Sequence, residues 1–192
     1  MKKFRLLIIP ALSLAVGLGL AGCGRSTHET ADADDATAET AAEAVEQVAA
    51  ISALPELGKA PDWELRRLDG SLLKSSELAG KVVVLDFWAT WCGPCRKEIP
   101  GYVDMQEQYA DDGLVVVGVS LDQTGPSIVS EFGHQYGINY PLVMGDERMV
   151  ELFGGIQYIP TTFLIDRDGQ VRHRKSGALA REDYEPLITS LL

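Results

Sequence analysis

The sequence predicts an α/β domain built on a mixed sheet flanked by helices. Three observations lead there. Lys81–Ala89 (KVVVLDFWA) and Leu114–Leu121 (LVVVGVSL) are continuous apolar runs rich in β-branched residues, the pattern of strands covered on both faces. A stretch of helical spacing separates them. The chain then closes with two short strands joined at Asp168-Gly169, a hairpin signal, and an amphipathic helix. Strand–helix–strand order followed by a hairpin and a helix implies a mixed sheet with helices on both faces.

The elements follow in order. Trp63–Leu68 (WELRRL) is a strand that turns at Asp69-Gly70. Ser75-Ser76-Glu77 starts a short helical turn ending at Gly80. After the first buried run, Arg96–Asp112 is a helix, with Pro100 inside it predicting a kink. The second buried run follows. Gly125-Pro126 then precedes a helix over Ser127–Tyr136. Tyr140–Met144 is a short strand, and Glu147–Phe153 is a helix closed by Gly154-Gly155. Thr162–Asp166 and Gln170–Lys175 form the hairpin, and Arg181–Leu192 is the last helix. Tyr102, Met105 and Tyr109 recur at helical spacing and are read as core.

Composition narrows the function. The 192 residues are 46% hydrophobic and 23% charged, which is globular and suits one domain with extra segments. Lys and Arg total 17 against 28 Asp and Glu, a net charge of −11. Such a chain repels phosphate backbones, so nucleic acid is not an expected partner. Cys23, Cys92 and Cys95 are too few for a disulfide scaffold.

The first segment reads as an address. Lys2, Lys3 and Arg5 precede an apolar run, Leu6–Leu20, too short for a membrane-spanning helix of ~20 apolar residues. Leu20-Ala21-Gly22-Cys23 resembles the lipobox of bacterial lipoproteins. That resemblance implies a signal peptide over residues 1–22 and a diacylglyceryl group on the Cys23 thiol, whose two acyl chains suffice for stable anchoring. Cleavage leaves 14 basic and 28 acidic residues. The membrane lipid at Cys23 is thus one expected partner, and the expected location is the cell envelope, facing the periplasm or extracytoplasmic space. Gly24 to Ala53 holds seven acidic residues against Arg25 alone and has no aromatic residue, so residues 23–53 are read as an acidic, disordered tether. The domain is assigned to residues 54–192.

Trp91-Cys92-Gly93-Pro94-Cys95 falls where the first buried strand passes into a helix. Unpaired N–H groups and partial positive charge at a helix start favour a thiolate, the nucleophile of disulfide exchange. Cys92 is therefore the expected nucleophile. Cys95, one turn in, is the expected resolving thiol. A zinc knuckle needs two more ligands, and the domain's His134 and His173 lack ligand spacing to another donor. A c-type haem site needs His where Arg96 stands. No cofactor and no metal are expected.

DFWATWCGPCRKEIP resembles the active-site stretch of the thioredoxin superfamily, and more closely its extracytoplasmic TlpA/ResA-like branch. Tyr158-Ile159-Pro160-Thr161-Thr162-Phe163 matches its second motif. The resemblance spans residues 54–192. It implies a thioredoxin-like fold with an N-terminal strand extension and a central insertion. It also implies a cis Pro160 beside the cysteines, with the Ile159 backbone free to bind an extended substrate. Trp91 is expected as an apolar lid on the substrate side. Asp86, inside the first buried strand, matches the superfamily's buried acid, a proton acceptor for the resolving cysteine; burial should raise its pKa. Gly118 stands near the position of a lysine partner for that acid. Glu98 shares a helix face with Cys95 and matches a glutamate held to tune cysteine protonation; a solvated charge on the helix surface is the other reading.

The function so implied is a thiol–disulfide oxidoreductase, reducing disulfides of exported proteins such as apocytochromes c and recharged by a membrane electron donor. Two alternatives stand beside it. One is a peroxidase of peroxiredoxin type, whose motif places Thr three residues before Cys; here Thr90 is two before Cys92. The other is a metal-delivery module, which uses a wider C-x-x-x-C spacing and a His.

Overall fold

Residues 57–192 are described by a computed structural model. The expected signal segment, lipidated Cys23 and tether lie outside the described residues. Seven strands form one sheet: β1 (Glu64–Arg67), β2 (Leu72–Lys74), β3 (Val82–Trp88), β4 (Leu114–Ser120), β5 (Leu142–Met144), β6 (Thr161–Ile165) and β7 (Val171–Ser176). Their spatial order is β2-β1-β5-β4-β3-β6-β7. Parallel pairing joins β3 to β4 and β4 to β5; the remaining pairs are antiparallel. Four α-helices accompany them among the described residues: α1 (Gly93–Tyr109), α2 (Pro126–Gln135), α3 (Glu147–Leu152) and α4 (Arg181–Thr189).

The two buried runs become β3 and β4 at the middle of the sheet, and strand alternation sorts their side chains into two cores. Val82, Val84 and Trp88 pack with Ile99, Tyr102 and Met105 of α1, Val129 of α2, and Tyr184 and Ile188 of α4. Val83, Leu85 and Phe87 face the other way, onto Val117, Val119, Phe163, Met149, Phe153, Trp63 and Leu65. Each fully buried side chain of this size contributes about 1.5–3 kcal/mol. The same alternation places Asp86, between Val84 and Trp88, under α1.

The mixed sheet with helices on both faces matches the expectation. The N-terminal extension is the β1–β2 hairpin, tied to the sheet through β5. The segment between β4 and β6 supplies α2, β5 and α3. Strand β2 was not anticipated: three residues, of which only Leu73 is buried, are too short to show a period. Helix α1 begins at Gly93 rather than Arg96, because Cys92 caps it and Pro94 fits a first turn. It runs on through Pro100 to Tyr109. Ahead of β1, Leu57 N–H donates to Val171 O at 2.8 Å and Ala60 N–H to Gly169 O at 2.8 Å, so the chain joins the sheet beside the β6–β7 turn.

Candidate active site

The two cysteines sit where β3 gives way to α1. Cys92 is extended backbone at the cap position, and its Sγ accepts the Cys95 N–H at 3.2 Å. That donor is one of the four that a helix start leaves free. Arg96 N–H donates to Cys92 O at 3.1 Å, and Cys92 N–H closes a turn onto Ala89 O at 3.1 Å. The two sulfurs are joined as a disulfide. Both cysteines are buried, Cys95 the more deeply. Trp91 beside them is 69% exposed, so it stands out from the rim of the site.

Residues Tyr158–Pro160 form the opposite wall. The Ile159–Pro160 bond is cis. Ile159 O lies 3.7 Å from Cys92 Sγ. Pairing of β6 with β3 starts only at Thr161, which leaves Ile159 outside the ladder. Pro160 is buried, and its carbonyl accepts Gly177 N–H at 2.8 Å. Tyr158, two residues before the cis proline, is 72% exposed.

Asp86 lies beneath. It is 5% exposed, accepts the Thr162 hydroxyl at 3.1 Å, and Thr162 in turn shares a 3.2 Å hydrogen bond with Tyr102. Burial pushes its pKa well above the carboxylate range, and the charge of Glu98 adds to the rise. No cation offsets this from the neighbouring strand. Register pairs Asp86 with Gly118, where an added Cβ would meet Leu142 Cδ2 at 2.6 Å and Trp88 Nε1 at 2.9 Å. A lysine at that position has no room for even its first carbon.

Glu98 is not a solvated helix charge. It is 6% exposed; Oε1 accepts Leu179 N–H at 2.7 Å, and Oε2 is buried without a hydrogen-bond partner among the described residues. Burial pushes its pKa up to about 7, against the lowering effect of the Leu179 bond. It lines a cavity of about 230 Å³ between α1 and the start of α4, with Gly101 and Arg181 on its walls. Two buried carboxyls are thus coupled under α1: Asp86, whose pKa is raised by burial and by the charge of Glu98, and Glu98, whose pKa lies at about 7.

Several residues take roles in this site that the sequence did not assign, Tyr102 having been read only as core. Thr162 and Tyr102 complete the hydrogen-bond chain from Asp86. Asp122, at the end of β4, accepts both the N–H and the hydroxyl of Thr90, two residues before Cys92. Its only sequence signal is an acid just after a strand, which also describes any polar turn.

The chain is similar to known proteins. Residues 58–174 match the model of the AhpC/TSA family. The chain is 34% identical over 137 residues to the thiol-disulfide oxidoreductase ResA of Bacillus thuringiensis, covering 71% of this chain and 79% of that one. It is 33% identical over 138 residues to ResA of Bacillus subtilis, covering 70% and 76%. The crystal structure of a thiol:disulfide interchange protein of the thioredoxin family from Chlorobium tepidum superposes with a TM-score of 0.65 at 32% identity, over 70% of this chain and 95% of that one. A capped, buried Cys92–Cys95 pair in this fold, with these relatives, is the centre of a thiol–disulfide oxidoreductase acting on disulfide-containing proteins. The chain belongs to the AhpC/TSA family of the thioredoxin superfamily.

Proposed function

We propose that this oxidoreductase works reductively outside the cytoplasm, on exported proteins such as apocytochromes c. It is held to the membrane through lipidated Cys23 on the acidic tether, and a membrane electron donor recharges it. The observation that carries the reading is the setting of Cys92: its sulfur rests on the Cys95 N–H and faces the Ile159 carbonyl, with exposed Trp91 next to it in the chain. A polypeptide laid across this wall presents its disulfide to Cys92, with Ile159 and Pro160 as the substrate-side backbone.

The steps balance as follows. The Cys92 thiolate attacks one sulfur of the substrate disulfide, forming a mixed disulfide and releasing the other sulfur as a thiolate that takes a proton. Cys95 gives its proton to Asp86 in its carboxylate form, attacks Cys92 Sγ and frees the second substrate thiol. The protein is left oxidised, and two electrons from the donor restore it. Glu98, changing charge near pH 7, relays protons between this buried pair and the cavity beside α4. Gly93-Pro94 between the cysteines and Ile159 before the cis proline resemble thioredoxin, a reductant.

The test is the reduction potential of the Cys92–Cys95 pair, equilibrated against defined thiol buffers. Each ~30 mV is ~1.4 kcal/mol of preference for one state. A potential near or below about −270 mV supports a reductase; one near about −120 mV reverses the direction of electron flow and overturns the reading.

A further inference from the structure

We propose that Asp122 is a positioning residue for disulfide exchange: its carboxylate bolts the Ala89–Cys92 turn to the end of β4 and so sets where the Cys92 sulfur sits. The inference rests on exchange at Cys92 and is independent of its direction in the cell.

Asp122 is 7% exposed, yet all its described partners belong to two short segments. Oδ2 accepts Thr90 N–H at 2.9 Å and the Ser120 hydroxyl at 2.9 Å. Oδ1 accepts the Thr90 hydroxyl at 2.6 Å. The Asp122 N–H donates back to Ser120 Oγ at 3.1 Å. Alongside, Leu121 N–H donates to Trp88 O at 2.8 Å, continuing the β3–β4 pairing beyond its last register pair. The loop leaving β3 is therefore clamped to the loop leaving β4 by one buried carboxylate. A single carbonyl would satisfy the Thr90 N–H. A carboxylate that also fixes the Thr90 side chain does more: it holds the residue against rotation as well as translation.

Two residues further on, the Cys92 sulfur has two fixed neighbours, the Cys95 N–H at 3.2 Å and the Ile159 carbonyl at 3.7 Å. These belong to α1 and to the cis-proline loop, so neither moves with Thr90. If the turn swings, the sulfur leaves both. Misplacement of a reacting atom by about 1 Å costs up to ~100-fold in rate. The carboxylate is engaged with Thr90 and Ser120, so it acts on the sulfur through the turn and takes no proton in the reaction.

The experiment compares Asp122→Ala, Asp122→Asn, Thr90→Val and Ser120→Ala with the parent. It reads the rate at which the reduced protein cleaves an insulin disulfide, the rate of Cys92 alkylation by iodoacetamide at pH 7, and the thermal midpoint. Asp122→Ala is expected to slow both reactions ~10-fold or more. Asp122→Asn is expected to stay within about threefold, because its carbonyl can accept Thr90 N–H while its amide donates to a rotated Thr90 hydroxyl. Thr90→Val keeps the N–H bond and is expected to lose about two- to threefold at a near-parental midpoint. Parental rates in Asp122→Ala with only a lowered midpoint would overturn the proposal, leaving Asp122 a structural residue. Asp122→Asn as slow as Asp122→Ala would also overturn it, because charge and not position would then matter. If Asp122→Ala does not fold, Thr90→Val and Ser120→Ala decide: parental rates in both refute the clamp, and slowed reactions at unchanged midpoints support it.

Discussion

Replacing Glu98 with Gln should make the protein more stable, and only above about pH 5. The parent carboxyl has its pKa raised from 4.5 to about 7 by burial. Below pH 4.5 it is protonated in both folded and unfolded chains and has no effect. As pH rises from there, the unfolded chain releases the proton while the folded one keeps it, so stability falls. The loss is complete once pH passes the folded value. At ~1.4 kcal/mol for each tenfold, the loss amounts to at most about 3 kcal/mol. Glutamine keeps a carbonyl for the Leu179 N–H that Oε1 now accepts, and it never ionises. The difference in unfolding free energy between Glu98→Gln and parent should therefore be flat up to pH 4.5 and grow by about 3 kcal/mol by pH 8. Denaturant titrations of the oxidised proteins from pH 4 to pH 8 measure it; removing the Glu98 charge also lessens the rise in the Asp86 pKa, which shifts the difference in the same direction. Two parallel curves across this range would refute the reasoning, since Glu98 would then be no more protonated folded than unfolded.

Asp86→Asn should leave the attack of Cys92 on a substrate nearly unchanged and slow release of the mixed disulfide by ~10- to 100-fold, seen as a covalent adduct that persists in stopped reactions. Gly118→Ala should cost about 1–3 kcal/mol in denaturant unfolding, as Leu142 and Trp88 shift away from the new methyl. Cys95→Ser should trap substrate proteins on Cys92 as mixed disulfides visible on non-reducing gels, whereas Cys92→Ser should trap none. Peroxide added to the reduced protein should be consumed no faster than by a small-molecule dithiol, because Thr90 is one residue out of the peroxidase spacing.

Most of the fold was legible because β3 and β4 are buried on both faces, and a run such as VVVL leaves few other readings. The cysteine pair and the cis proline were legible because each sits in a contiguous motif. Glu98 was ambiguous because helical spacing tells which face a residue shares, not what covers that face. Its cover comes from Leu179 and the start of α4, some eighty positions later. Asp122 was invisible for the same reason in reverse: its partner Thr90 lies 32 residues upstream, joined to it only by the parallel pairing of β3 and β4. The start of α1 was placed three residues late because the capping group is a cysteine sulfur, which no capping rule lists among its preferred residues.

The attachment of Leu57–Ala60 beside the β6–β7 turn gives the domain a polarity. That turn lies at the Val83 end of β3, and Cys92 follows the Trp88 end, roughly 17 Å away along the strand. Whatever precedes Leu57 enters at the pole opposite the disulfide. Under the proposed anchoring, the domain hangs from the bilayer by its base with its reactive tip turned outward, toward soluble clients. A donor embedded in the same membrane can meet that tip only if the domain inverts. Under that proposal, shortening the segment ahead of Leu57 should slow recharging by the membrane donor while leaving the disulfide chemistry intact.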